Sequence, residues 1–402
     1  MKIGLFGQFG SGNTGNDGSL EAMLQLLHRN CPGAQLICIC QRPEIITEKF
    51  NLQAVSVGQP ASNNIVFNIL NRALLQLPRR LIGFITAISL VHGLDLIIVP
   101  GTGILDDFNE DPFGWPFAVL RWSLAAKLGG APMAFVSIGA GPVAHPLSRF
   151  FVRTAASLAA YRSYRDLVSY DFMDSIKLDV SNDHVSADIA FSLPPATEEL
   201  RDCRGENVGI GVMTYRGWRK RAVDGDAIYQ NYLRKMIAII EGLQRKGRQV
   251  RLLTGDTGDL EAARDLQRLL NKHDYRDVIF EPVQSLHDVM QQIAKTDIVI
   301  ASRYHNIVCA LSMGRPAISL GYAKKNDALL KDTDLSEFSH HVETFNPQLL
   351  LSQVDSMFER KAELCESVKA GVTQYRKRLA RQEDAINKEL LSKIDADKMI
   401  KR

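Results

Sequence analysis

Short apolar runs alternate with amphipathic stretches through the first half of the chain. Such runs are typical of buried parallel strands, and the stretches between them repeat apolar positions every three to four residues, as helices do. This order predicts βαβ units, whose crossovers bring the loops after the strands to one edge of a parallel sheet. The predicted strands are Lys2–Phe6, Gln35–Cys40, Leu94–Val99, Met133–Ile138 and His184–Ala187, and the predicted helices are Ser19–Arg29, Phe117–Leu128 and Pro146–Ala159.

The alternation restarts after a polar segment, residues 196–206, that is typical of a linker. We therefore expect one domain at residues 1–195, a second at 205–345 and a helical tail at 346–402. The predicted fold class is α/β, with two doubly wound Rossmann-like domains facing a cleft. In the second domain the predicted strands are Val208–Val212, Val250–Thr254, Val278–Phe280, Asp297–Ala301 and a closing Ala317–Leu320, and the predicted helices are Ala227–Lys246, Leu260–Asn271, Leu286–Ala294 and Asn306–Met313.

The balance of charge narrows the function classes. Lys and Arg number 48 against 45 Asp and Glu, a formal net charge of +3. A nucleic-acid binder would carry a basic face, so we expect no nucleic-acid partner. The segment Ser356–Arg402 holds 12 basic and 8 acidic residues. Two roles stay open for it: a helix that packs on the body or forms a dimer contact, and an electrostatic handle for an anionic membrane.

Cysteine usage and the first residues favour a cytoplasmic protein. The start, MKIGLFG, lacks the features of a secretory signal. The six cysteines lie mostly in apolar runs, which indicates buried, reduced thiols. They are Cys31, Cys38, Cys40, Cys203, Cys309 and Cys365.

One apolar segment, Leu81–Pro100, is long enough to span a bilayer. His92 and Asp95 interrupt it, which favours a buried helix followed by a strand. Because Arg79 and Arg80 precede the segment, peripheral contact at the inner face of the membrane stays open.

A glycine-rich loop follows the first strand and opens a helix. Gly10, Gly12 and Gly15 fit G-x-G-x-x-G, the dinucleotide pattern. The first glycine lies several residues beyond the strand, and no acid ends the second strand to bind a ribose hydroxyl. Arg42 could instead meet a 2′-phosphate, so an NADP enzyme stays open as an alternative.

Polar side chains in this loop favour sugar binding. Asn13 and Asp17 offer groups that suit sugar hydroxyls, beside a helix N-terminus that favours anions. The structural alternative is that Asp17 or Ser19 caps the helix. Two further glycine turns, Val99–Gly103 and Ile138–Pro142, each follow a strand directly. We expect the three turns to form one ligand-facing rim.

Cations gather at the predicted strand ends. Arg303 and His305 alternate in the turn after strand Asp297–Ala301. Arginine offers a planar fork for carboxylate or phosphate, and histidine offers a proton near neutral pH. Lys325 follows the next strand on the same edge, and Arg165 opens a helix in the first domain. Together the four would bind a compact, multiply charged anion.

Searches for other chemistry in the sequence are negative. It contains no P-loop, HExxH or GxSxG motif, and its nine histidines show no metal-ligand spacing with a carboxylate. The two D-x-D patterns, Asp224–Asp226 and Asp332–Asp334, are more typical of caps than of Mg²⁺ ligands. We therefore expect no metal and no cofactor.

Several of these elements resemble, in the same order, motifs of the polysaccharide pyruvyltransferase family, over about residues 1–325. The resemblance implies a GT-B-like fold of two Rossmann-type domains. It also implies a transferase that moves a pyruvyl group from phosphoenolpyruvate to a pair of sugar hydroxyls, forming a ketal in exopolysaccharide or cell-wall glycan biosynthesis. The matching elements are Gly10–Asp17, Gly101–Asp106, Ile138–Pro142, Arg165–Ser169, Asp188–Leu193, Arg303-x-His305, Gly314-x-Pro316 and Tyr322-x-x-Lys325.

The resemblance assigns expected roles to residues. The catalytic candidates are His305 and Arg303, the donor-binding candidates Arg165, Lys325 and Arg303, and the acceptor-binding candidates Asn13, Asp17, Gly101 and Asp106. The acceptor would be a sugar or a lipid-linked saccharide, and a homo-oligomer stays open. Two alternatives remain besides the NADP enzyme: a GT-B glycosyltransferase that uses a nucleotide-sugar, and a catalytically silent sugar-binding or assembly protein.

Overall fold

The computed structural model describes residues 1–58, 64–74, 76–108, 110–196, 206–217, 224–272, 277–394 and 396. The chain divides into two compact units. Unit 1 comprises Met1–Ser11, Ser19–Ile189 and Leu379–Arg402, and unit 2 comprises Gly12–Gly18 and Ala190–Arg378. Most of the predicted linker, together with Cys203, lies outside the described residues.

Unit 1 is built on a parallel sheet with the order β3-β2-β1-β4-β5-β6-β7 among the described residues. The strand order reverses between β1 and β4, and ligands of such sheets bind where the loops leave this point. The central strands are fully buried, which explains their continuous apolar sequences. The strands are β1 Lys2–Phe6, β2 Gln35–Cys40, β3 Gln53–Ser56, β4 Leu96–Pro100, β5 Met133–Ile138, β6 Tyr161–Tyr164 and β7 His184–Val185.

The helices of this half of the chain cover the apolar sheet. Helix α1 begins at Thr14, five residues before the predicted start, because Asn13 rather than Asp17 or Ser19 caps it: the Asn13 Oδ1 accepts from the amides of Gly15 (3.0 Å) and Asn16 (3.3 Å). The helices are α1 Thr14–Asn30, α2 Pro43–Phe50, α3 Ile65–Ala73, α4 Leu77–Val91, α5 Trp115–Gly129, α6 Pro146–Ser157 and α7 Leu167–Ser175.

The sequence predicts that the helix before strand β4 is buried, and this prediction is wrong for one face of that helix. In α4, Gly83, Ala87 and Val91 are buried, whereas Leu81 and Ile85 are largely exposed. Within the described residues, no single helix has both the length and the hydropathy needed to cross a bilayer; α3 and α4 reach them only as a pair, which is bent by 105°.

Unit 2 repeats the architecture, with a parallel sheet of order β10-β9-β8-β11-β12-β13 in the described part of the chain. The sheet does not close at Ala317–Leu320 as predicted, because a short polar edge strand pairs with it. The strands are β8 Asn207–Gly211, β9 Gln249–Leu253, β10 Val278–Phe280, β11 Ile298–Ala301, β12 Ala317–Gly321 and β13 Ser339–His341, and the helices are α8 Gly225–Arg245, α9 Leu260–Lys272, α10 Leu286–Ala294, α11 Tyr304–Ser312, α12 Lys325–Lys331, α13 Pro347–Glu359 and α14 Lys361–Ile386.

The segment predicted as a separate tail is divided between the two units, since residues up to Arg378 group with unit 2 and Leu379–Arg402 group with unit 1. In unit 2, the ring of Tyr375 stacks on Phe191 at 4.5 Å between centroids. In unit 1, the Gln382 amide donates to the Ser137 hydroxyl at 2.8 Å. The apolar residues of this segment that are buried include Leu364, Val368, Val372, Ile386, Leu390 and Leu391. These contacts show that α14 packs against other parts of the described chain.

The cysteines agree in part with the prediction of buried thiols. Cys38, Cys40 and Cys309 are buried, and Cys31 and Cys365 are half-buried.

Candidate active site

The Arg-x-His turn of unit 2 lies at the point where the strand order of that sheet reverses, after β11, which pairs with both β8 and β12. Helix α11 begins at Tyr304, so His305 lies in its first turn rather than in the loop predicted to extend to Asn306. Arg303 is the N-cap residue, with extended backbone (φ −75°, ψ 132°). The helix N-terminus at this turn favours a negatively charged group.

Arg303 is held by a carboxylate that the sequence analysis missed. Its Nε donates to Asp259 Oδ2 at 2.9 Å and its Nη2 to Asp259 Oδ1 at 2.7 Å. Asp256 lies farther off, with Oδ2 3.8 Å from Nη2. Asp259 is fully buried, and its Oδ2 also accepts from the Gly255 amide at 3.3 Å. Two parallel hydrogen bonds fix the orientation of the guanidinium.

Burial and charge act on this pair in opposite directions. Burial alone would lower the pKa of the Arg303 guanidinium, but the Asp259 carboxylate outweighs it and raises that pKa above its ordinary value. Burial raises the pKa of the Asp259 carboxyl, and the guanidinium opposes the rise. Arg303 therefore stays charged, and Asp259 offsets much of its charge.

The loop Gly12–Gly18, which groups with unit 2, packs its glycines against side chains of that unit. A Cβ on Gly15 would lie 1.9 Å from His305 Nδ1, and a Cβ on Gly12 would lie 2.3 Å from Thr257 Oγ1. At Gly18 it would lie 2.1 Å from a Leu286 methyl carbon. The second and third glycines of G-x-G-x-x-G thus make room for protein side chains, which argues against a dinucleotide pyrophosphate at these positions.

Backbone and side-chain hydrogen bonds tie this loop to the turn after β9. The amide and hydroxyl of Thr14 donate to the Gly255 carbonyl at 3.0 and 2.9 Å. The Asn13 amide donates to Asp256 Oδ2 at 3.2 Å. Asn13 therefore acts as a helix cap and as a link to the Asp256 carboxylate, and Asp17 is buried in the first turn of α1.

Lys325 lies close to the same turn. Its Nζ is 4.8 Å from the ring centroid of Tyr322 and 5.9 Å from that of Tyr304. The Tyr304 ring meets the His305 ring edge to face at 5.3 Å. Unit 2 thus brings together Arg303, His305 and Lys325, as the sequence analysis expected, and adds Asp256 and Asp259.

Unit 1 gathers the other predicted residues at the ends of β4, β5 and β6. The Gly139 amide donates to the Thr102 carbonyl at 3.1 Å, and the Gly141 amide to the Leu105 carbonyl at 2.8 Å. The Ser169 hydroxyl accepts from the Ala140 amide at 3.0 Å. Two of the three predicted glycine turns therefore form one rim. Residues 12–18 belong instead to unit 2.

Arg165 is buried in this rim beside two acids. Its Nη1 donates to Asp188 Oδ2 at 3.1 Å, and its Nε lies 3.5 Å from Asp166 Oδ2. The side chain of Asp188 has no exposed surface. A Cβ on Gly139 would lie 2.6 Å from Arg165 Nη2, so this glycine leaves room for the guanidinium.

Asp106 lies near Arg165, whereas Gly101 is part of the packing. A Cβ placed on Gly103 would be 3.4 Å from Asp106 Oδ2 and 3.9 Å from Arg165 Nη2. Gly101 has φ +56°, and a Cβ there would meet Ile189 at 2.4 Å and Ser19 at 2.8 Å. Asp106 and Arg165 therefore face the same space, and Gly101 is required by the turn.

The two acids beside Arg303 carried only a weak sequence signal. Asp256 and Asp259 follow β9 in Thr-Gly-Asp-Thr-Gly-Asp, a polar, glycine-containing segment directly after an apolar strand. Strand β9 is the sequential neighbour of β8 in a parallel sheet, so its carboxyl end faces the same edge as the turn after β11. The position of these two acids at the carboxyl end of β9 was the sequence signal that could have placed them near Arg303.

A known protein family matches this chain over most of the residues described above. The family model for polysaccharide pyruvyl transferase matches residues 13–324. The amylovoran biosynthesis protein AmsJ of Erwinia amylovora is 21% identical over 418 aligned residues, which cover 94% of this chain and 96% of that protein.

Solved structures share the fold. The UDP-GlcNAc 2-epimerase of Neisseria meningitidis bound to UDP-GlcNAc superposes with a TM-score of 0.63 at 13% identity, covering 98% of this chain and 100% of that chain. Anabaena Alr3699/HepE in complex with UDP-glucose gives 0.62 at 14% identity with the same coverage. These likenesses confirm the α/β, GT-B-like fold class. The family match, which extends from the glycine loop of unit 2 through its Arg-x-His turn, shows that this chain belongs to the polysaccharide pyruvyl transferase family and is a transferase.

Proposed function

We propose that the protein transfers the pyruvyl group of phosphoenolpyruvate to two hydroxyls of one sugar, forming a cyclic ketal in exopolysaccharide or cell-wall glycan biosynthesis. The position of His305 is the observation that supports the proposal. The imidazole lies in the first turn of α11, against Gly15, next to an arginine that Asp259 holds in a fixed orientation. Preorganised polar groups of this kind are what a site for charge development requires.

The chemistry needs one proton donor and several anion-binding groups. Protonation of the enol methylene makes C2 of the donor electron-poor, and a sugar hydroxyl then attacks C2. Phosphate leaves, and a second hydroxyl of the sugar closes the ring at the same carbon. Of the two protons that the hydroxyls lose, one balances the proton gained by the methylene and the other leaves with phosphate.

We assign the proton transfer to His305, which is the titratable group that the glycine loop leaves room for. Lys325 and the N-terminus of α11 attract the negative charge of the donor. Arg303 has five N–H donors, of which Asp259 takes two, so it can hold the donor and keep its orientation. In unit 1, Arg165 donates one hydrogen bond to Asp188, and we assign Arg165 to an anionic group of the donor.

The acceptor would be a free or lipid-linked saccharide. Asp106, which shares the space over Gly103 with Arg165, is placed to orient a hydroxyl. We hold Asp17 as a second candidate for this role. Asn13 and Gly101 contribute through the cap and the turn that they form.

The direct test is to incubate the purified protein with phosphoenolpyruvate and a panel of saccharides. The expected result is phosphate release together with a product heavier than the acceptor by pyruvate less one water. His305→Ala should lower turnover by about 100-fold or more, the effect of removing a general acid. His28→Ala, an exposed histidine of α1, is the matched control and should leave turnover unchanged.

One result would overturn the role of His305, and a second would overturn the function itself. Near-normal turnover of His305→Ala would remove His305 from the mechanism. Tight binding of UDP or GDP, with sugar transfer from a nucleotide-sugar and no phosphate release from phosphoenolpyruvate, would establish a glycosyltransferase instead.

A further inference from the structure

Helices α3 and α4 of unit 1 present an exposed apolar surface. Isolated exposed apolar residues are ordinary, but a contiguous patch marks a site of interaction. Of the described side chains, those on this surface are between 45% and 75% exposed: Ile65, Val66, Ile69, Leu70, Leu74, Leu77, Leu81, Ile82 and Ile85.

The helix geometry separates this surface from the core. Leu77, Leu81 and Ile85 follow one another at four-residue intervals, so they lie on one face of α4. The buried face of the same helix carries Ala87 and Val91, which belong to the core of unit 1. Because one face of α4 packs on the core of unit 1, the opposite face can lie in a membrane interface, but the helix is not free to span the bilayer.

Two hydrogen bonds to Asn71 hold the bend between the two helices. The Arg79 amide donates to Asn71 Oδ1 at 3.0 Å, and the Gln76 amide donates to the Asn71 carbonyl at 2.7 Å. Asn71 itself is buried. Exposed apolar residues thus lie on both sides of a bend that these bonds hold, which is 105° between the two helices.

The charge of this segment favours an anionic partner. No Asp or Glu occurs between Glu48 and Asp95 in the sequence, whereas Arg72, Arg79 and Arg80 lie in α3 and α4. The Arg80 guanidinium lies 4.2 Å from the ring centroid of Phe113, which is itself half exposed. An apolar face flanked by arginines and aromatic rings is typical of interfacial helices.

A cavity of about 380 Å³ opens beside α4, and Arg121 adds one further cation to its lining. Arg79, Arg80 and Arg121 line it, with Trp115 on the apolar side and Glu110 as its acidic residue. The basic excess of the lining suits a phosphate-containing headgroup better than a neutral one.

We propose that α3 and α4 form the membrane-docking surface of this protein, with their apolar side chains in the interface of an anionic phospholipid bilayer and their arginines at its phosphates. The inference is independent of the reaction. It locates membrane contact on α3–α4 and not on the basic C-terminal segment, where the described apolar residues Leu364, Val368 and Ile386 are buried.

Flotation with vesicles tests the proposal on the full chain. We expect binding to vesicles of phosphatidylglycerol and phosphatidylcholine, and much weaker binding to phosphatidylcholine alone. Leu81→Glu with Ile85→Glu should lower the partition coefficient at least tenfold, because two apolar side chains leave the interface and two like charges enter. Arg72→Gln should lower it about fivefold, with a shallower salt dependence.

Matched variants keep the test specific. Leu349→Glu changes a half-exposed leucine of α13 in unit 2, and Lys377→Gln with Arg381→Gln neutralises two exposed residues of α14; both should bind vesicles like the unchanged protein. Circular dichroism and the urea midpoint verify that each variant is folded.

Three outcomes would overturn the proposal. The first is no binding of the unchanged protein to anionic vesicles. The second is equal binding by the Leu81→Glu, Ile85→Glu variant. The third is self-association that this variant abolishes in the absence of vesicle binding, which would identify the surface as an interface between two copies of the chain.

Discussion

The imidazole of His305 occupies the position that a side chain on Gly15 would require, since a Cβ there would lie 1.9 Å from Nδ1. Gly15 lies in the first turn of α1, and its backbone does not need the left-handed conformation. The glycine is therefore explained by this close approach, which couples the residues 12–18 to the turn that carries His305.

Substitution of Gly15 by alanine tests this coupling. Alanine is favoured over glycine inside a helix by about 1 kcal/mol, so helix propensity alone predicts a more stable protein. We expect the opposite, because the methyl group displaces His305. Turnover should fall by about 100-fold, the scale of a misplacement near 1 Å. Pyruvyl transfer kinetics and urea unfolding measure the two effects.

The control for this variant is Gly33→Ala, at an exposed glycine with no atom within 4 Å of an added Cβ. It should leave turnover unchanged. A double-mutant cycle adds a second control, because Gly15→Ala should no longer destabilise a protein that already carries His305→Ala. Equal destabilisation in both backgrounds would show that the contact with His305 is not the reason for the glycine.

The pairing of Arg303 with Asp259 predicts a large loss of stability when the carboxylate is removed. Asp259→Asn keeps the size of the side chain but leaves the guanidinium of Arg303 without its buried counter-charge. Breaking a buried pair in this way costs about 3–5 kcal/mol. We expect a lower urea midpoint and a raised KM for phosphoenolpyruvate.

Asp226→Asn is the matched control, because Asp226 pairs with Arg216 at the surface with 91% of its side chain exposed. Exposed pairs contribute little, so its urea midpoint should not move. An Asp259→Asn protein as stable as the Asp226→Asn protein would mean that the pair does not hold the turn.

Sequence patterns identified the parts of this fold that are buried and continuous. Strands β1, β2 and β5 have the predicted bounds, because uninterrupted apolar runs define central parallel strands. Strand β3, Gln53–Ser56, and strand β13, Ser339–His341, were missed because edge strands are short and partly polar. Their assignment depends on pairing with the preceding strand, β2 or β12, across an intervening helix.

The same limit applies to the candidate site. The residue types Arg303, His305 and Lys325 were found from their position after strands. Asp259 was not, because a buried ion pair between residues 44 positions apart leaves no local signal. Helix α11 was predicted to begin too late, since Arg303 is not among the residues that usually cap helices.

Tyr232 predicts a change of stability at alkaline pH. Burial raises its pKa to about 12, above the ordinary value of 10. Its hydroxyl oxygen accepts from the Met213 amide at 3.2 Å and lies 3.4 Å from the Ser302 hydroxyl. The folded protein retains the phenolic proton while the unfolded chain releases it, so stability is full below pH 10 and falls as the pH rises from 10 to 12.

Tyr232→Phe removes this proton. At pH 7 it should cost about 1–3 kcal/mol, because the Met213 amide loses its partner. Between pH 10 and 12 the free energy of unfolding should fall less steeply than in the unchanged protein, by about 1.4 kcal/mol per pH unit. Urea unfolding at several pH values measures both quantities. Identical slopes for the two proteins would place the ionisation of Tyr232 outside this range.

Residues 379–394 form part of unit 1 by packing, and this distinguishes the two roles left open for the C-terminal segment. Ile386 has no exposed surface, so Ile386→Ala should cost about 2–5 kcal/mol through lost burial and a residual cavity. Arg381→Gln, at an exposed position of the same helix, should leave the urea midpoint where it is. Chemical unfolding compares the two variants. Unchanged stability of Ile386→Ala would mean that the segment is not held on the body in solution, and the charged helix would again be available to a membrane.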